Sequence, residues 1–163
     1  MRKMLKKWLV KIIKLKGTNY SIAAGVACGV AISFTPFVGL HLVLGFVTAW
    51  IVRGNLLASA IGTAIGNPWT FPFIWLSILY TGKKILGMEH EGVADVNFTK
   101  VFSSSFDALI HFDFEVFFRD VWPVIKPMAV GCIPYYVVSW ALSYCLIKSW
   151  LDRRAGLKKA RAK

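Results

Sequence analysis

The amino-acid sequence predicts an all-α membrane protein. Its 163 residues are 56% apolar and 15% aromatic, and the mean hydropathy is +0.57. A water-soluble domain of this size has too little interior to bury so many apolar side chains, because the buried fraction of a chain falls as the chain shortens. Two segments without any charged residue, 17–52 and 54–82, supply the apolar length that membrane-embedded helices need.

The formal net charge of +12 is concentrated at the two ends of the chain. Seven basic residues lie within 1–16 and seven within 148–163, whereas seven of the eight acidic residues lie within 89–120. Basic segments beside apolar ones are typical of contact with anionic lipid headgroups. We therefore expect anionic membrane lipids as partners. We expect no nucleic acid, because aromatic and basic residues do not alternate along a polar surface.

Residues 1–16 form a basic amphipathic segment. Leu5, Trp8, Leu9, Ile12 and Ile13 recur at helical spacing, which places the lysines on the opposite face. This pattern predicts a helix in the headgroup plane. Its lipid-surface residues would be Lys3, Lys6, Lys7, Lys11, Lys14 and Trp8. The alternative is a helix packed on the rest of the protein, which would hold seven like charges close together.

A single membrane domain is predicted for residues 17–149, and proline interrupts both of its uncharged segments. The expected structural breaks are Pro36 and Gly39 in the first segment, and Gly66 and Pro68 in the second. Proline has no amide hydrogen and disfavours a helical residue before it, while glycine permits a sharp turn. Each segment is therefore expected to consist of two helical arms.

The arms are short for a bilayer. Each has about 12 to 16 residues, whereas a spanning helix needs roughly 20. Two re-entrant helical hairpins, at about 20–52 and 55–82, are therefore predicted. The alternative is one kinked, tilted span per segment. The leads into the two breaks, Gly29-Val30-Ala31-Ile32 and Gly62-Thr63-Ala64-Ile65, also form a short internal echo, as in transporter repeats.

Two further elements complete the predicted fold. Residues 83–126 combine apolar residues at helical spacing with acidic ones, which predicts a surface amphipathic helix. Residues 127–147 are predicted to form one C-terminal transmembrane helix, followed by a basic tail at 150–163. Two returning hairpins and one span would place the basic ends on opposite sides of the membrane, against the positive-inside tendency. Either one broken segment crosses once, or the last helix turns back at Pro134.

Motifs around the two breaks resemble those of a bacterial protein family. They are Ser33-Phe34-Thr35-Pro36-Phe37-Val38-Gly39-Leu40-His41, Arg53-Gly54-Asn55, Gly62-Thr63 and Asn67-Pro68-Trp69-Thr70. In this order they are similar to the family registered as domain of unknown function 2062, over roughly residues 15–149. The resemblance implies a small protein of the bacterial inner (cytoplasmic) membrane, and it implies no particular reaction.

Polar residues in the uncharged segments are candidates for an anion site. If both breaks lie at mid-depth, helix amino ends and unpaired amides there favour an anion, and the Arg53 guanidinium can bind a phosphate through two hydrogen bonds. The predicted ligand-binding residues are Arg53, Asn55, Asn67, Thr35, Thr70 and His41. The alternative is that Asn67 and the threonines cap helices, while Arg53 extends to the lipid headgroups.

The sequence contains none of the common hydrolase, nucleotide-binding or metal-binding motifs. We therefore expect no enzyme, no cofactor and no metal. The predicted function is binding and translocation of an anionic lipid or lipid-linked phosphate through the paired hairpins, by architectural analogy. The alternative is a non-catalytic membrane adaptor, in which segment 101–122 binds a membrane-protein partner or a second copy of the chain.

Overall fold

A computed structural model describes residues 11–37, 39–66, 69–88, 103, 115 and 117–161. These residues form helices and turns, with no strand among them, so the all-α class is confirmed. The predicted lipid-surface residues Lys3, Lys6, Lys7 and Trp8 lie outside the described residues. So does most of the predicted surface helix at 83–126.

The described residues contain five α-helices. They are α1 (Asn19–Ile32), α2 (His41–Ile51), α3 (Leu56–Gly62), α4 (Phe71–Ile85) and α5 (Trp122–Arg161). A 3-10 turn, Thr63–Ile65, follows α3, and a π-helical turn, Phe117–Val121, precedes α5. The chain divides into two compact units. Unit 1 comprises Met1–Asn67 and Tyr136–Lys163, and unit 2 comprises Pro68–Tyr135.

The helices end at the breaks that the sequence predicts. Pro36 and Gly39 lie in the turn between α1 and α2, and Gly66 follows the 3-10 turn after α3. Gly39 has φ +85°, a left-handed conformation that glycine adopts without steric cost. Asn67 and Pro68, in the second break, lie outside the described residues.

Helices α1 and α2 form an antiparallel hairpin within unit 1. At its open end, the Tyr20 hydroxyl donates a hydrogen bond of 3.0 Å to the carbonyl oxygen of Val52. At its turn, His41 Nε2 lies 3.3 Å from the carbonyl oxygen of Thr35. These contacts join both ends of the hairpin, so the first uncharged segment folds back on itself.

Helix α3 packs against α1 in the same direction. At the start of the two helices, the Asn55 amide donates to the carbonyl oxygen of Ser21 over 2.8 Å. At their ends, the Ser33 hydroxyl lies 3.4 Å from the carbonyl oxygen of Thr63. Helices α1, α2 and α3 therefore alternate in direction along the chain, with α2 antiparallel to the parallel pair α1 and α3.

Glycine allows the backbones of α1 and α3 to touch. A Cβ atom added at Gly29 would overlap the backbone oxygen of Ser59, and one added at Gly62 would overlap the backbone oxygen of Val26. Small residues at such a crossing let helices approach closely, which is how helices associate where water supplies no hydrophobic drive between them. The internal echo noted in the sequence thus includes two glycines that lie against each other.

The interior of unit 1 contains buried hydroxyl groups among apolar residues, while the outer face of α2 is apolar. The buried Ser59 hydroxyl donates to the Gly45 carbonyl oxygen over 2.8 Å, and the buried Ser33 hydroxyl donates to that of Gly29 over 3.0 Å. On α2, Leu42, Val43, Phe46, Val47, Trp50 and Ile51 are exposed, and Trp50 reaches 74%. This distribution is typical of helices that pack in lipid.

Helix α5 is long and apolar enough to cross a membrane over Trp122–Leu157, and it is the one such helix in the described part of the chain. It passes through Pro127 and Pro134 without a break, so the last segment does not turn back at Pro134. It begins at Trp122 and ends at Arg161, outside the predicted limits of 127–147 on both sides. The predicted basic tail is thus helical as far as Arg161.

In unit 1, α5 runs antiparallel to α1. Trp140 Nε1 donates to the Cys28 sulfur over 3.3 Å, whereas Asn19 Nδ2, at the start of α1, donates to Asp152 Oδ1 over 2.8 Å. Residue 152 therefore lies beside the beginning of α1. The described part of the amino-terminal segment, from residue 11, and the part of α5 near Asp152 consequently lie at the same end of unit 1.

The last residues of the amino-terminal segment pack on the core of unit 1. Ile12 is fully buried in a cluster that includes Ile22, Val26 and Leu151, while Lys11 and Lys14 are exposed. The described part of the segment thus fits the packed alternative, with its lysines on the outer face.

In unit 2, a second glycine pair joins α4 to the first part of α5. A Cβ atom at Gly82 would overlap the backbone oxygen of Pro127, and one at Gly131 would overlap that of Ile78. The hydroxyls of Thr81 and Tyr135 are 3.1 Å apart beside this contact. Unit 2 therefore relies on the same kind of close helix approach as unit 1.

We expect Gly29→Ala to lower the stability of the protein by roughly 2–3 kcal/mol, because its methyl group must displace the α3 backbone. The matched control is Gly156→Ala on α5, where an added Cβ meets no atom within 4 Å. That change should be neutral or stabilise by up to about 1 kcal/mol through helix propensity. Thermal unfolding in detergent measures both, and equal midpoints for the two variants would contradict the close crossing.

Candidate functional site

The predicted ligand-binding residues that are described in unit 1 form two separate groups. Arg53 and Asn55 lie at the carboxyl end of α2, whereas Thr35 and His41 lie at its amino end. Helix α2 has 11 residues, so the two groups are separated by about 16 Å. Thr70 belongs to unit 2. One ligand atom therefore cannot be held by both groups of unit 1.

The group at the amino end of α2 closes the hairpin turn. The buried Thr35 hydroxyl donates to the Ile32 carbonyl oxygen over 2.7 Å, and the Thr35 carbonyl oxygen is the atom near His41 Nε2. Both side chains thus contact the carbonyl groups that the end of α1 leaves without helical partners. Their described contacts are structural.

Asn55 joins three parts of unit 1. Its Oδ1 accepts a hydrogen bond of 2.9 Å from the Ala58 amide and caps the amino end of α3. Its Nδ2 donates to the Lys16 carbonyl oxygen over 2.9 Å, and its backbone amide binds α1. Asn55 therefore holds the amino-terminal segment against α1 and α3, and it caps α3, a role that the sequence had suggested for Asn67 and the threonines.

Thr70 precedes α4, as a cap residue would. Its side chain makes no capping hydrogen bond, although its carbonyl oxygen accepts from the Ile74 amide over 3.0 Å. Asn67 lies outside the described residues. The second break thus contributes one described candidate residue, and it belongs to unit 2.

Arg53 occupies an unfavourable backbone conformation. Its φ is +54°, and it is the one residue other than glycine with positive φ in the described part of the chain. The Gly54 amide donates to the Ala49 carbonyl oxygen over 2.7 Å, and the Arg53 amide donates to that of Trp50 over 3.0 Å. These two bonds make the Schellman motif that ends α2, with Arg53 at the left-handed position.

The end of α4 provides an internal comparison. The Met88 amide donates to the Lys83 carbonyl oxygen over 2.9 Å, and the Gly87 amide donates to that of Lys84 over 3.3 Å. This is the same motif, with glycine at φ +70°. A residue with a Cβ pays roughly 1–2 kcal/mol in that conformation. Arg53 therefore costs stability at a position where this chain elsewhere has glycine.

The residue after Arg53 is Gly54, which packs directly against α1. A Cβ atom at Gly54 would lie 2.8 Å from the backbone nitrogen of Gly25, so Gly54 must be glycine for α1 to pass. The Arg53 side chain is exposed, and none of its atoms takes part in a described hydrogen bond or ion pair. Backbone strain of this kind is concentrated at functional sites.

Further cations surround this end of unit 1. Lys11, Lys14, Lys16, Arg53, Arg153 and Arg154 are exposed in the basic segments or beside them. Asp152 is the acidic residue among them, and it accepts hydrogen bonds of 2.8 Å from both Lys148 and Asn19. The Arg154 guanidinium lies 5.8 Å from the Trp150 ring. We call this surface the basic end of unit 1.

The sequence did not reveal how the basic end is assembled. Asn19 and Asp152 are 133 residues apart, and neither was a predicted site residue. The isolated position of Asp152, outside the acidic segment, was the signal that could have found it. No group of three or more His, Cys, Asp or Glu side chains is placed to hold a metal ion within the described ranges.

Arg53→Gly should stabilise the protein by about 0.5–1 kcal/mol, because relief of the left-handed strain exceeds the extra chain entropy of glycine. Arg53→Ala, which keeps the strain, should give no gain. Gly87→Ala should destabilise by about 1 kcal/mol through the same conformation in the matching motif. Unfolding midpoints of the three variants check this, and a loss of stability in Arg53→Gly would contradict the assignment of strain.

Comparison with known proteins supports the family resemblance. The sequence profile of the family described as an uncharacterized protein conserved in bacteria, domain of unknown function 2062, matches residues 2–160. No curated protein and no solved structure matches the chain. The match covers nearly the whole sequence, including both breaks, Arg53 and α5 as far as residue 160. The chain belongs to the bacterial family of domain of unknown function 2062.

Proposed function

We propose that the chain is an integral protein of the bacterial inner membrane that binds an anionic lipid or lipid-linked phosphate and moves it between leaflets. The observation that carries the proposal is Arg53, a strained and exposed arginine at the basic end of an otherwise apolar helical unit. A guanidinium forms paired hydrogen bonds with phosphate oxygens. A headgroup ligand gives a reason to keep arginine where glycine is more stable.

Placement in a bilayer is supported by the surfaces of unit 1. Helix α5 has the length and composition of a span, and the outward face of α2 is apolar. Helices α1 and α2 have 14 and 11 residues, or about 21 and 16 Å. Neither crosses roughly 30 Å of hydrocarbon. The α1–α2 hairpin therefore fits a re-entrant element that enters and leaves on the same side.

The positions of the chain ends favour one of the two topologies that the sequence left open. The described part of the amino-terminal segment and the part of α5 near Asp152 lie at one end of unit 1, which fits a common cytoplasmic side. An even number of crossings is then required. Since α1–α2 returns and α5 crosses once, the segment 54–82 crosses once more. One returning hairpin and one broken crossing fit the fold better than two returning hairpins.

The hairpin turn supports the step between leaflets. Residues 33–37 and 39–40 form the non-helical backbone of this turn. In a re-entrant hairpin such backbone lies partway through the bilayer, where it needs protein or water as surroundings. The same polar surroundings reduce the cost of moving a charged headgroup past that depth. Arg53 and the neighbouring lysines would gather the headgroup at the cytoplasmic surface, and the hairpin would provide the passage.

Cysteine labelling tests this topology. Single cysteines replace Lys16, Arg53 or Lys84 in a chain without the native Cys28, Cys132 and Cys145. All three positions are exposed. An impermeant maleimide should label Lys16→Cys and Arg53→Cys from the cytoplasmic face and Lys84→Cys from the opposite face. Labelling of all three from one face would show that the second segment returns. Opposite faces for Lys16→Cys and Arg53→Cys would contradict the re-entrant α1–α2 hairpin.

Lipid scrambling in liposomes tests the function. Wild-type protein should accelerate exchange of a fluorescent anionic phospholipid between leaflets. Arg53→Gly should slow it about tenfold, the value of one charged hydrogen-bonding group, although that variant is expected to be more stable. Arg53→Lys should retain part of the rate. Lys126→Gln, which removes an exposed charge of unit 2, is the control.

The same measurements can contradict the proposal. A wild-type rate equal to that of empty liposomes, or an unchanged rate in Arg53→Gly, would contradict it. Purification with a stoichiometric protein partner and no retained lipid would instead favour the adaptor. Its segment ends at the exposed side chains of Phe118 and Trp122, whose rings are 5.9 Å apart.

A further inference from the structure

An open groove of about 460 Å³ lies between the amino-terminal segment and α3 in unit 1. Its floor consists of Leu57, Ala60, Ile61 and Ala64, with Leu15 on the opposite side. Leu57, Ala60 and Ile61 on α3 and Ala64 in the 3-10 turn that follows have the spacing i, i+3, i+4 and i+7, so they form one stripe. The stripe is about 11 Å long. It is an apolar trough, in which two alanines leave room between larger side chains.

Two lysines border this trough. Lys11 and Lys14 line the same groove and are one helical turn apart. Ile12, buried in the core between them, fixes the position of the segment that carries them. Neither lysine side chain forms a hydrogen bond or an ion pair within the described ranges. Their aliphatic stems can cover the trough while the ammonium groups remain available at its edge.

The combination of an apolar floor and a positive edge selects the ligand. Leu57 is 66% exposed, and a free phosphate ion would leave that surface uncovered. An apolar peptide or helix would cover the floor but leave two positive charges without partners. A molecule with one long apolar chain and an anionic head satisfies both parts. The complementarity of charge and polarity therefore points to an anionic lipid.

We infer that this groove binds one anionic phospholipid, with its phosphate on Lys11 and Lys14 and an acyl chain along Leu57, Ala60, Ile61 and Ala64. The inference rests on the proposed function, since it assigns a specific lipid site to unit 1. It differs from the role of Arg53 because it requires a fixed acyl position on α3. The groove is a binding site, and the Arg53 turn is the point of headgroup capture for translocation.

Photocrosslinking of the full chain tests the site. The protein is placed in phosphatidylcholine nanodiscs that contain a small fraction of phosphatidylglycerol with a photoreactive group within its acyl chain. Irradiation should crosslink this probe to peptides containing residues 57–64. A phosphatidylcholine probe with the same acyl chain should crosslink to them far more weakly. Equal crosslinking by the two probes would overturn the assignment of the headgroup to the lysines.

Two kinds of variant separate the head from the tail. The double change Lys11→Gln and Lys14→Gln should reduce crosslinking of the anionic probe by more than tenfold, from roughly fivefold per lysine. Ala64→Phe fills the trough at an exposed position and should reduce crosslinking at α3 with both lysines present. The double change Lys84→Gln and Lys126→Gln removes equal charge from unit 2 and should leave crosslinking unchanged.

The outcomes distinguish the groove from the proposed function. Wild-type crosslinking in both groove variants would overturn the groove, and slow scrambling by Arg53→Gly in the same preparations would still support the function. Specific crosslinking of the groove without any scrambling by wild-type protein would support the groove and contradict translocation. Unfolding midpoints near that of the wild type show that each groove variant is folded. If the double lysine variant is unfolded, the single change Lys14→Gln replaces it.

Discussion

Close approach of backbones at glycine is the contact on which the rest of unit 1 depends. Where Gly29 meets Ser59, and Gly62 meets Val26, the two helices have no space for a Cβ atom. This approach brings the Ser33 and Ser59 hydroxyls within reach of carbonyl oxygens of neighbouring helices or turns. At this crossing there is no room for a large side chain, and many large apolar residues of α2 lie on the outside. The lipid-compatible surface of unit 1 is therefore compatible with the close packing of α1 and α3.

The same contact also determines where the charges lie. Gly54 packs against the backbone of Gly25, where a Cβ atom has no room. In the Schellman motif at the end of α2, the left-handed position is one residue earlier, at position 53. Arginine fills that left-handed position. Parallel packing of α1 and α3 then brings Asn55 to the start of α1, where it also binds the Lys16 carbonyl oxygen. The basic amino-terminal segment is in this way tied to the turn that carries Arg53.

Local rules predicted the helices and their interruptions, because proline and glycine act on the residues next to them. The helix ends near Pro36 and Gly66, the all-α class and the last apolar helix were accessible from the sequence for that reason. The position of Ile12 was not. An amphipathic stripe has the same spacing whether it faces lipid or protein, and only the neighbouring Ile22 and Leu151 show that protein covers Ile12.

The candidate site was harder to predict than the fold, because its residues belong to both ends of the chain. In the sequence, the polar residues near the breaks were predicted to form one site. That prediction placed Thr35 and His41 in the same site as Arg53, although α2 separates them. Arg53 itself was recognised by its isolation among apolar residues. Its strain was not, since φ at position 53 depends on where Gly54 packs. Antiparallel α5, continuous through Pro134, adds Asp152 and its neighbours to the basic end.

A protein that gathers anionic headgroups benefits from a rigid frame and exposed cations. The glycine contacts supply the frame, because interlocked backbones have little freedom to shift relative to each other. The cations vary in how firmly they are held: Lys148 is paired with Asp152 over 2.8 Å, Arg154 lies over the Trp150 ring, and Arg53 extends from a fixed turn. A fixed turn keeps the position of the Arg53 charge constant, and its guanidinium makes no hydrogen bond within the described ranges. Its planar group of donors differs from the compact ammonium groups of the lysines, and under the proposed function Arg53 is therefore the residue that captures the headgroup for translocation.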